Sequence, residues 1–343
     1  MVTILDVAKS AGVAPITVSR VVNDLPGVKQ NTRERVNKVI AELHYVPNAM
    51  AKSLRSKSTH IIALVVTDVA NPFWTTIARG VEDTAATNGF HVILCNTDEN
   101  PEKESNYISV LLQRRIDGII IAPSTADARR LTSLKRHDVP CVLIDRQVKG
   151  FRTDVVCSDG REGARRLTEH LIRLGHRRIA IISGPAHIST AEERFAGYRQ
   201  ALQKHGISVD QNLIKQGSYK EDDSFQFAGE LLSIHPRPTA IFATNNSMAV
   251  GVLRALRAAG LRVPEDIALV CFDDIPQASA IYPFLTVCAQ DPYKMGVLSA
   301  ELLIDRIQRK RRRAREIILE TKLIIRKSCG QELVRQSSEG LAP

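Results

Sequence analysis

Residues 3–23 have the spacing of two short helices joined by a tight turn. Thr3 lies three residues before Asp6, a pairing typical of a helix N-terminus in which each side chain bonds the other's backbone N–H. Gly12 would end this helix about two turns later, and Pro15 suits the first turn of a second helix. This spacing predicts a helix-turn-helix unit. We expect its small core at Val7, Ala8, Val13, Val18 and Val21.

The outer face of the second helix suits contacts with DNA. Arg20 can donate twice to O6 and N7 of guanine, and Ile16 can press on a thymine methyl group. Hydroxyl and amide side chains on the same face suit phosphate oxygens. The expected major-groove contacts are Pro15, Ile16, Thr17, Ser19, Arg20 and Asn23. The alternative for this segment alone is an ordinary helical hairpin with a solvated polar face.

A third amphipathic helix is predicted from apolar residues at helical spacing, namely Val36, Val39, Ile40 and Leu43. Residues 44–55 then read HYVPNAMAKSLR. This pattern resembles the LacI/GalR family of bacterial transcription regulators, and the resemblance extends over nearly the whole chain. It implies a hinge helix after the Tyr-x-Pro-Asn sequence, in which Leu54 wedges into the minor groove at the operator's centre.

Two turns are too short for a stable isolated helix in water, so we expect the hinge to order only against DNA and a partner hinge. The expected DNA contacts of this segment are Asn48, Ala51, Leu54 and Arg55. The alternative is an Ala-rich linker with one exposed leucine.

The chain departs from the family pattern at several positions. Ala14 stands where many members have Ser, so the second helix lacks a side-chain cap. Pro15 and Ile16 occupy positions that often carry polar base-reading residues. Recognition of bases by hydrogen bonds therefore depends mainly on Arg20. Apolar contacts and DNA shape must supply more of the sequence specificity. Asn246 stands where Asp is common, so one charge at the pocket edge is absent.

The charge of the chain favours a polyanionic partner. Its 343 residues carry a net charge of +10, with an isoelectric point near 9.4. Such a chain can bind DNA phosphates through counterion release. We interpret a second basic cluster, at residues 309–315, as a solvated loop between a helix and a strand rather than a DNA contact.

From residue 60 onward, short apolar runs alternate with helical patterns. The runs predicted as strands are Ile61–Thr67, His91–Cys95, Asp117–Ala122, Cys141–Asp145, Arg178–Ser183, Thr239–Thr244 and Ile267–Phe272. Asn-Pro or Asp-Pro pairs at 71–72, 100–101 and 291–292 mark helix starts, and glycines at 89, 175, 206 and 260 mark helix ends. Two such α/β sets predict two parallel sheets, each with helices on both faces.

The expected architecture is an all-α helix-turn-helix domain plus an α/β core of two lobes. The resemblance implies that this core has the periplasmic-binding-protein fold. The expected domains are residues 1–46 for the DNA-binding domain, 47–59 for the hinge helix and linker, and 60–330 for the core. Lobe 1 is expected at about 60–160 and 290–320, and lobe 2 at about 161–289 and 321–330. Residues 331–343 are expected to be a short disordered tail without leucine heptads, which favours a homodimer over a tetramer.

Polar residues follow the strand ends, where parallel α/β sheets bind ligands. This placement predicts Asp68, Asn71, Phe73 and Trp74 at the cleft. The family resemblance implies effector contacts at Asp145, Arg194, Asn245, Asp273 and Gln290. It also implies that Trp74, Thr190 and Tyr219 shape the pocket.

This set combines carboxylates, an amide and a guanidinium with a flat indole, which suits a polyhydroxylated ligand. We therefore expect a sugar or sugar acid as effector, and a nucleobase is less favoured. Each residue also has a structural alternative. Asn245 and Asp273 would serve as helix caps, Arg194 as an internal ion pair, and Trp74 as core.

Other functional classes fit less well. The sequence has no GxGxxG, P-loop, GxSxG or HExxH motif, and its six cysteines show no metal-ligand spacing, so we expect no enzyme activity, cofactor or metal. We expect the cysteines to be buried thiols in a protein of the reducing cytoplasm. The sequence shows no signal-peptide pattern and no apolar run of membrane-spanning length.

Two non-enzymatic alternatives remain open. A sugar-binding protein without a regulatory DNA role leaves residues 1–59 unexplained, and a nucleoid-type architectural protein leaves the two-lobed core unexplained. Sequence-specific DNA binding that responds to a small metabolite would distinguish a regulator from both.

Overall fold

The computed structural model describes residues 2–46, 58–309 and 313–333. The chain divides into two units, Met1–Thr59 and His60–Pro343, and each is described by itself. The expected hinge contacts Asn48, Ala51, Leu54 and Arg55 lie outside the described residues, as do residues 334–343 of the tail.

The described part of the first unit contains the helices α1 (Ile4–Ala11), α2 (Pro15–Val22) and α3 (Gln30–Glu42). Thr3 N donates to Asp6 Oδ2 over 2.8 Å, and Asp6 N donates back to Thr3 Oγ1 over 3.4 Å. Thr3 Oγ1 also donates to Asp6 Oδ2 over 2.7 Å, and this bond together with that from Thr3 N holds the pKa of Asp6 below its ordinary value. Gly12 ends α1 with φ of 63°, a left-handed conformation that costs glycine nothing sterically. The predicted cap, turn and second helix are confirmed.

The core of this unit is the apolar cluster that the spacing predicts. Its buried members are Val7, Ala8, Ala11, Val18, Val21, Val36 and Val39, and Val13, Ile40 and Leu43 pack against them. Ala14 precedes α2 without a side-chain cap, and Pro15 occupies the first turn of that helix.

The second unit is built on twelve strands within the described residues. They are β1 (Ile61–Val66), β2 (His91–Asn96), β3 (Gly118–Ile121), β4 (Cys141–Ile144), β5 (Asp154–Ser158), β6 (Ile179–Ser183), β7 (Ile214–Gln216), β8 (Ala240–Ala243), β9 (Ala268–Phe272), β10 (Thr286–Ala289), β11 (Glu316–Leu319) and β12 (Lys322–Ile324). They form two six-stranded sheets, in the orders β11-β5-β4-β3-β1-β2 and β12-β10-β9-β8-β6-β7. The described pairings are parallel except for β10 with β12.

Helices cover both faces of each sheet. They are α4 (Pro72–Thr87), α5 (Pro101–Gln113), α6 (Thr132–Arg136), α7 (Gly160–Arg173), α8 (Ser189–Lys204), α9 (Glu221–Leu232), α10 (Asn246–Ala258), α11 (Pro276–Ile281) and α12 (Pro292–Arg309). The Asn-Pro starts of α4 and α5 are confirmed, because Asn71 and Asn100 each accept a hydrogen bond from the first turn. The glycines at 89, 175, 206 and 260 all have positive φ after a helix, as predicted.

Strand β1 shows why both faces of a sheet need cover. Ile62, Leu64 and Val66 pack into one apolar cluster, whereas Ala63 and Val65 pack into another on the opposite face. Burial of both faces is typical of parallel sheets, and each fully buried large side chain contributes roughly 1.5–3 kcal/mol. We call the first sheet with its helices lobe 1 and the second sheet with its helices lobe 2.

Strands β5, β7, β10, β11 and β12 were not among the predicted runs. β7 has three residues, too few to show a pattern, and β5 carries polar residues at both ends. The chain passes from lobe 1 to lobe 2 after β5, returns for α12 and β11, and crosses again for β12. All six cysteines are free and buried, as expected. Within the described ranges, no helix is both long and apolar enough to span a bilayer.

Candidate functional site

Helix α2 has a buried face and an exposed face. Val18 and Val21 pack into the core of the first unit, whereas Pro15, Ile16 and Arg20 are exposed. Ile16 leaves 51% of its surface in water. An exposed apolar side chain beside an exposed guanidinium provides the two kinds of contact that major-groove base edges accept.

The expected phosphate contacts on α2 are less accessible. Thr17, Ser19 and Asn23 are half-buried. Asn23 Nδ2 donates to the Ser19 carbonyl over 2.7 Å, so one of its two amide hydrogens is used to close the helix. The adjoining loop is held by Arg33, which donates to Asp24 Oδ1 over 2.7 Å.

A cavity of about 300 Å³ lies between the two lobes, at the carboxyl ends of the strands. It is lined by Thr67, Asp68, Asn71, Phe73, Trp74, Asp98, Glu99, Asp145, Arg146, Thr190, Arg194, Tyr219, Lys220, Asn245 and Asp273. Ten of the eleven residues expected at the cleft are therefore brought together. The eleventh, Gln290, stands behind them, and its Nε2 donates to Asp273 Oδ1 over 2.7 Å.

Four of the five lining carboxylates have a left-handed backbone. Asp98 and Glu99 follow β2 with φ of 55° and 59°. Asp145 follows β4 with φ of 65°, and Asp273 follows β9 with φ of 70°. Non-glycine residues adopt this region at a cost, although Asp tolerates it better than most. Such strain tends to be retained where a side chain must be aimed at a binding site. The ends of these strands turn carboxylates toward the same cavity.

Arg194 of α8 is fixed from several sides. Its Nη1 donates to the Thr244 carbonyl over 2.6 Å and lies 3.8 Å from Asp273 Oδ2. Its Cζ lies 3.9 Å from the ring centroid of Phe272, a cation–π contact. The side chain is thus both an internal ion pair and a lining residue, and its Nε has no hydrogen-bond partner.

Burial changes the ionisation of Asp145 and Asp273. Burial raises the pKa of Asp273 to about 6, against the opposing attraction of Arg194 and the hydrogen bond from Gln290. Burial also raises the pKa of Asp145, opposed by Arg194 and Arg146. Asp145 Oδ1 has no hydrogen-bond partner. Both carboxylates therefore lack part of the solvation that a charged group needs.

Sequence reasoning missed an ion pair of the cavity, formed by buried Arg146 and half-buried Glu99. Arg146 follows Asp145 directly and is bonded to Glu99 through Nη1 and Nη2, over 2.7 and 2.6 Å. It is 4% exposed, and its Nε has no hydrogen-bond partner, although it lies 3.8 Å from Asp145 Oδ2. Its position beside a strand-end Asp was the available signal. Thr67, Asp98 and Lys220 were missed as well.

The apolar wall of the cavity comes from lobe 1. Phe73 and Trp74 meet edge to face, with centroids 4.9 Å apart, and both are buried. Across the cavity, the Tyr219 hydroxyl and Thr190 Oγ1 are hydrogen-bonded over 2.8 Å. Gly184 makes room for the tyrosine, because a Cβ there would lie 2.3 Å from its ring.

Asn245 combines two roles. Its Oδ1 accepts a hydrogen bond from Met248 N over 2.7 Å, which caps α10. Its Nδ2 donates to the Tyr219 carbonyl over 3.3 Å. The helix-cap alternative therefore describes Asn245, and the same residue still lines the cavity.

Both units of the chain match known protein families. Residues 3–48 match the family described as bacterial regulatory proteins, lacI family, and residues 59–327 match periplasmic binding proteins and sugar binding domain of LacI family. A ribose operon repressor of Halalkalibacterium halodurans is 37% identical over 96% of this chain and 97% of its own length.

Two solved structures are similar over most of this chain. A lac repressor dimer bound to operator and the anti-inducer ONPF has a TM-score of 0.81 and 30% identity, over 96% of this chain and 99% of that one. A LacI family transcriptional regulator from Enterococcus faecium with bound ribose has a TM-score of 0.69 and 31% identity, over 78% of this chain and 98% of that one.

A helix-turn-helix unit and a two-lobed α/β core whose cavity is lined by charged residues define a DNA-binding transcriptional regulator with an effector-binding domain. The chain belongs to the LacI family of bacterial regulatory proteins.

Proposed function

We propose that the chain is a repressor whose affinity for its operator is set by a small neutral sugar in the cavity between the lobes. One observation carries this proposal. Asp145 Oδ1, Arg146 Nε and Arg194 Nε are buried without hydrogen-bond partners, and all three residues line the cavity. Buried polar groups are normally paired, so a ligand rich in hydroxyl groups would complete this site.

The charges around the cavity favour a neutral ligand over a sugar acid. Lining carboxylates outnumber the lining cations, which are Arg146, Arg194 and Lys220. Arg146 already pairs with Glu99, and Arg194 lies beside Asp273. A ligand carboxylate would add negative charge to a place that already destabilises its own carboxylates. A hydroxyl group can instead donate to a carboxylate and accept from a guanidinium.

The size of the cavity and the relatives support the same class of ligand. About 300 Å³ is at the small end of the range for small-molecule sites. One relative is named a ribose operon repressor, and one similar structure contains ribose. The indole of Trp74 would offer a flat apolar face to a sugar ring.

The proposed operator is a near-palindrome read by a homodimer through α2 of each chain. Strand β2 lies at one edge of its sheet and exposes two adjacent apolar residues, Ile93 and Leu94. Such an edge favours association with a second copy. The wedge role of Leu54 stays a proposal. Light scattering should give the mass of two chains, and a tetramer would contradict this part.

The effector test is a binding screen followed by a DNA-binding measurement. Thermal shift and calorimetry would compare D-ribose, D-glucose and cellobiose with D-gluconate. Fluorescence anisotropy with an operator isolated by in vitro selection would then be repeated with each ligand that binds. We expect binding of at least one neutral sugar, a changed operator affinity, and no binding of the acid.

Matched variants locate the site. Arg194→Ala and Asp273→Ala should each remove most of the affinity for the sugar that binds, whereas Arg262→Ala, which breaks an exposed pair with Asp266, should leave it unchanged. Full affinity in the first two variants would exclude the cavity as the effector site. Tighter binding of D-gluconate than of any neutral sugar would overturn the charge argument.

A further inference from the structure

Asn71 and Asn246 connect the two lobes by a reciprocal pair of hydrogen bonds. Asn71 caps α4 in lobe 1, and Asn246 is the first residue of α10 in lobe 2. Asn71 Nδ2 donates to Asn246 Oδ1 over 2.8 Å, and Asn246 Nδ2 donates to Asn71 Oδ1 over 3.0 Å. Both side chains are buried, so water does not compete for these bonds.

The remaining hydrogen-bonding capacity of both amides is used beside the pair. Asn71 Nδ2 also donates to Ser247 Oγ over 3.3 Å, and Asn71 Oδ1 also accepts from Phe73 N over 3.0 Å. Asn246 Oδ1 accepts from Ser247 N, and Asn246 Nδ2 reaches the Asp274 carbonyl over 3.4 Å. Both amide hydrogens of Asn71 are therefore engaged, so it is better placed to join the lobes than to donate to a ligand.

The pair requires an amide at position 246. A carboxylate there would still accept from Asn71 Nδ2, but its second oxygen would face Asn71 Oδ1, another acceptor. Such a contact is repulsive and leaves a buried polar atom unpaired.

Other contacts also cross between the lobes, but they differ in kind. Gln147 N donates to Ser189 Oγ over 2.9 Å. The guanidinium of Arg146 lies 5.2 Å from the ring centroid of Tyr219, and both residues line the cavity. A ligand would disturb the second contact. Asn246 does not line the cavity, so its substitution changes the contact between the lobes without removing a lining side chain.

We propose that the Asn71–Asn246 pair is a latch that holds the lobes closed in the empty protein and so preforms the ligand cavity. The part that concerns the ligand rests on the proposed function. Each neutral hydrogen bond shifts an equilibrium by roughly two- to tenfold. Loss of the latch should lower the fraction of closed protein, and the apparent ligand affinity falls with that fraction.

The test uses the full chain with Asn246→Asp, the double variant Asn71→Asp/Asn246→Asp, and Asn100→Asp as control. Asn100 is also a helix cap in lobe 1, where Asp serves equally well. A carboxylate at the start of α10 is compatible with the helix dipole, so Asn246→Asp should fold, and circular dichroism would verify this.

Small-angle X-ray scattering of the ligand-free proteins is the first readout. We expect a larger radius of gyration for Asn246→Asp and a still larger one for the double variant, with Asn100→Asp equal to the wild type. A double variant whose scattering matches the wild type would overturn the latch. This readout needs no ligand, so it decides the latch even if the wild type binds no sugar, which would contradict only the proposed function.

Calorimetric titration with D-ribose is the second readout. We expect affinity to fall roughly two- to tenfold in Asn246→Asp and further in the double variant. A loss of affinity without any change in scattering would show that position 246 acts on the ligand site itself, and it would also overturn the latch.

Discussion

Arg146 and Glu99, which both line the cavity, are joined by hydrogen bonds of 2.7 and 2.6 Å from the two terminal nitrogens of the guanidinium. Arg146 Nη1 also donates to the Pro123 carbonyl over 3.0 Å. Burial disfavours the guanidinium, but the charge and hydrogen bonds of Glu99, together with smaller contributions from Tyr219 and Asp145, outweigh this effect and raise the pKa of Arg146. Without Glu99, this buried cation would lose its main counter-charge.

Replacing one member of this pair should destabilise the core. Glu99→Gln leaves a buried guanidinium without its counter-charge, and we expect the free energy of unfolding to fall by about 3 kcal/mol. Glu102→Gln is the matched control, because Glu102 pairs with Arg130 at an exposed position. That change should cost at most about 1 kcal/mol. Equal urea-unfolding curves for the two variants would show that the Arg146–Glu99 pair contributes no more to the free energy of unfolding than the exposed Arg130–Glu102 pair.

The raised pKa of Asp273 predicts a pH dependence of stability. Its pKa is about 6 in the fold against an ordinary 3.8, so the folded state favours the protonated form. The associated stability is fully present below about pH 3.8 and is lost as pH rises through 6. The ligand-free wild type should thus lose about 3 kcal/mol from this group over that window.

Asp273→Asn removes the group that titrates. The variant should lack this fall and should unfold at a higher temperature than the wild type at pH 7, while binding sugar more weakly. Asp222→Asn, which changes a carboxylate that is 91% exposed, should keep the wild-type profile. Thermal unfolding between pH 4 and 8 measures both. An Asp273→Asn variant that is less stable than the wild type at pH 7 would contradict the assigned pKa direction.

The parts of the site that could be predicted from sequence are those fixed by local chain geometry. Asn71 is recognisable as a helix cap before Pro72, and Asp68 follows a strand whose end had to face the cleft. The contacts between distant segments could not be predicted in this way. The partner of Arg146 is 47 residues away, and the partner of Asn71 is 175 residues away.

Asn246 illustrates the difference most directly. The sequence alone showed only that Asn246 lacks the charge of the Asp common at this position, because a comparison with the family pattern treats each position separately. In the fold the uncharged amide is what allows pairing with Asn71. Likewise, β7 has three residues and escaped prediction, because it is recognisable as a strand only from its pairing with β6.

The DNA-reading role of Arg20 can be separated from its charge. Arg20→Lys keeps the positive charge on the exposed face of α2 but loses the paired donors that match guanine. We expect affinity for the selected operator to fall roughly 5- to 150-fold, which corresponds to about 1–3 kcal/mol, with affinity for random DNA unchanged. Arg35→Lys, at an exposed position on α3, is the control and should change neither value. Anisotropy titrations at several salt concentrations would measure these affinities. An equal loss of affinity for operator and for random DNA would show that Arg20 contacts phosphate and does not recognise a base.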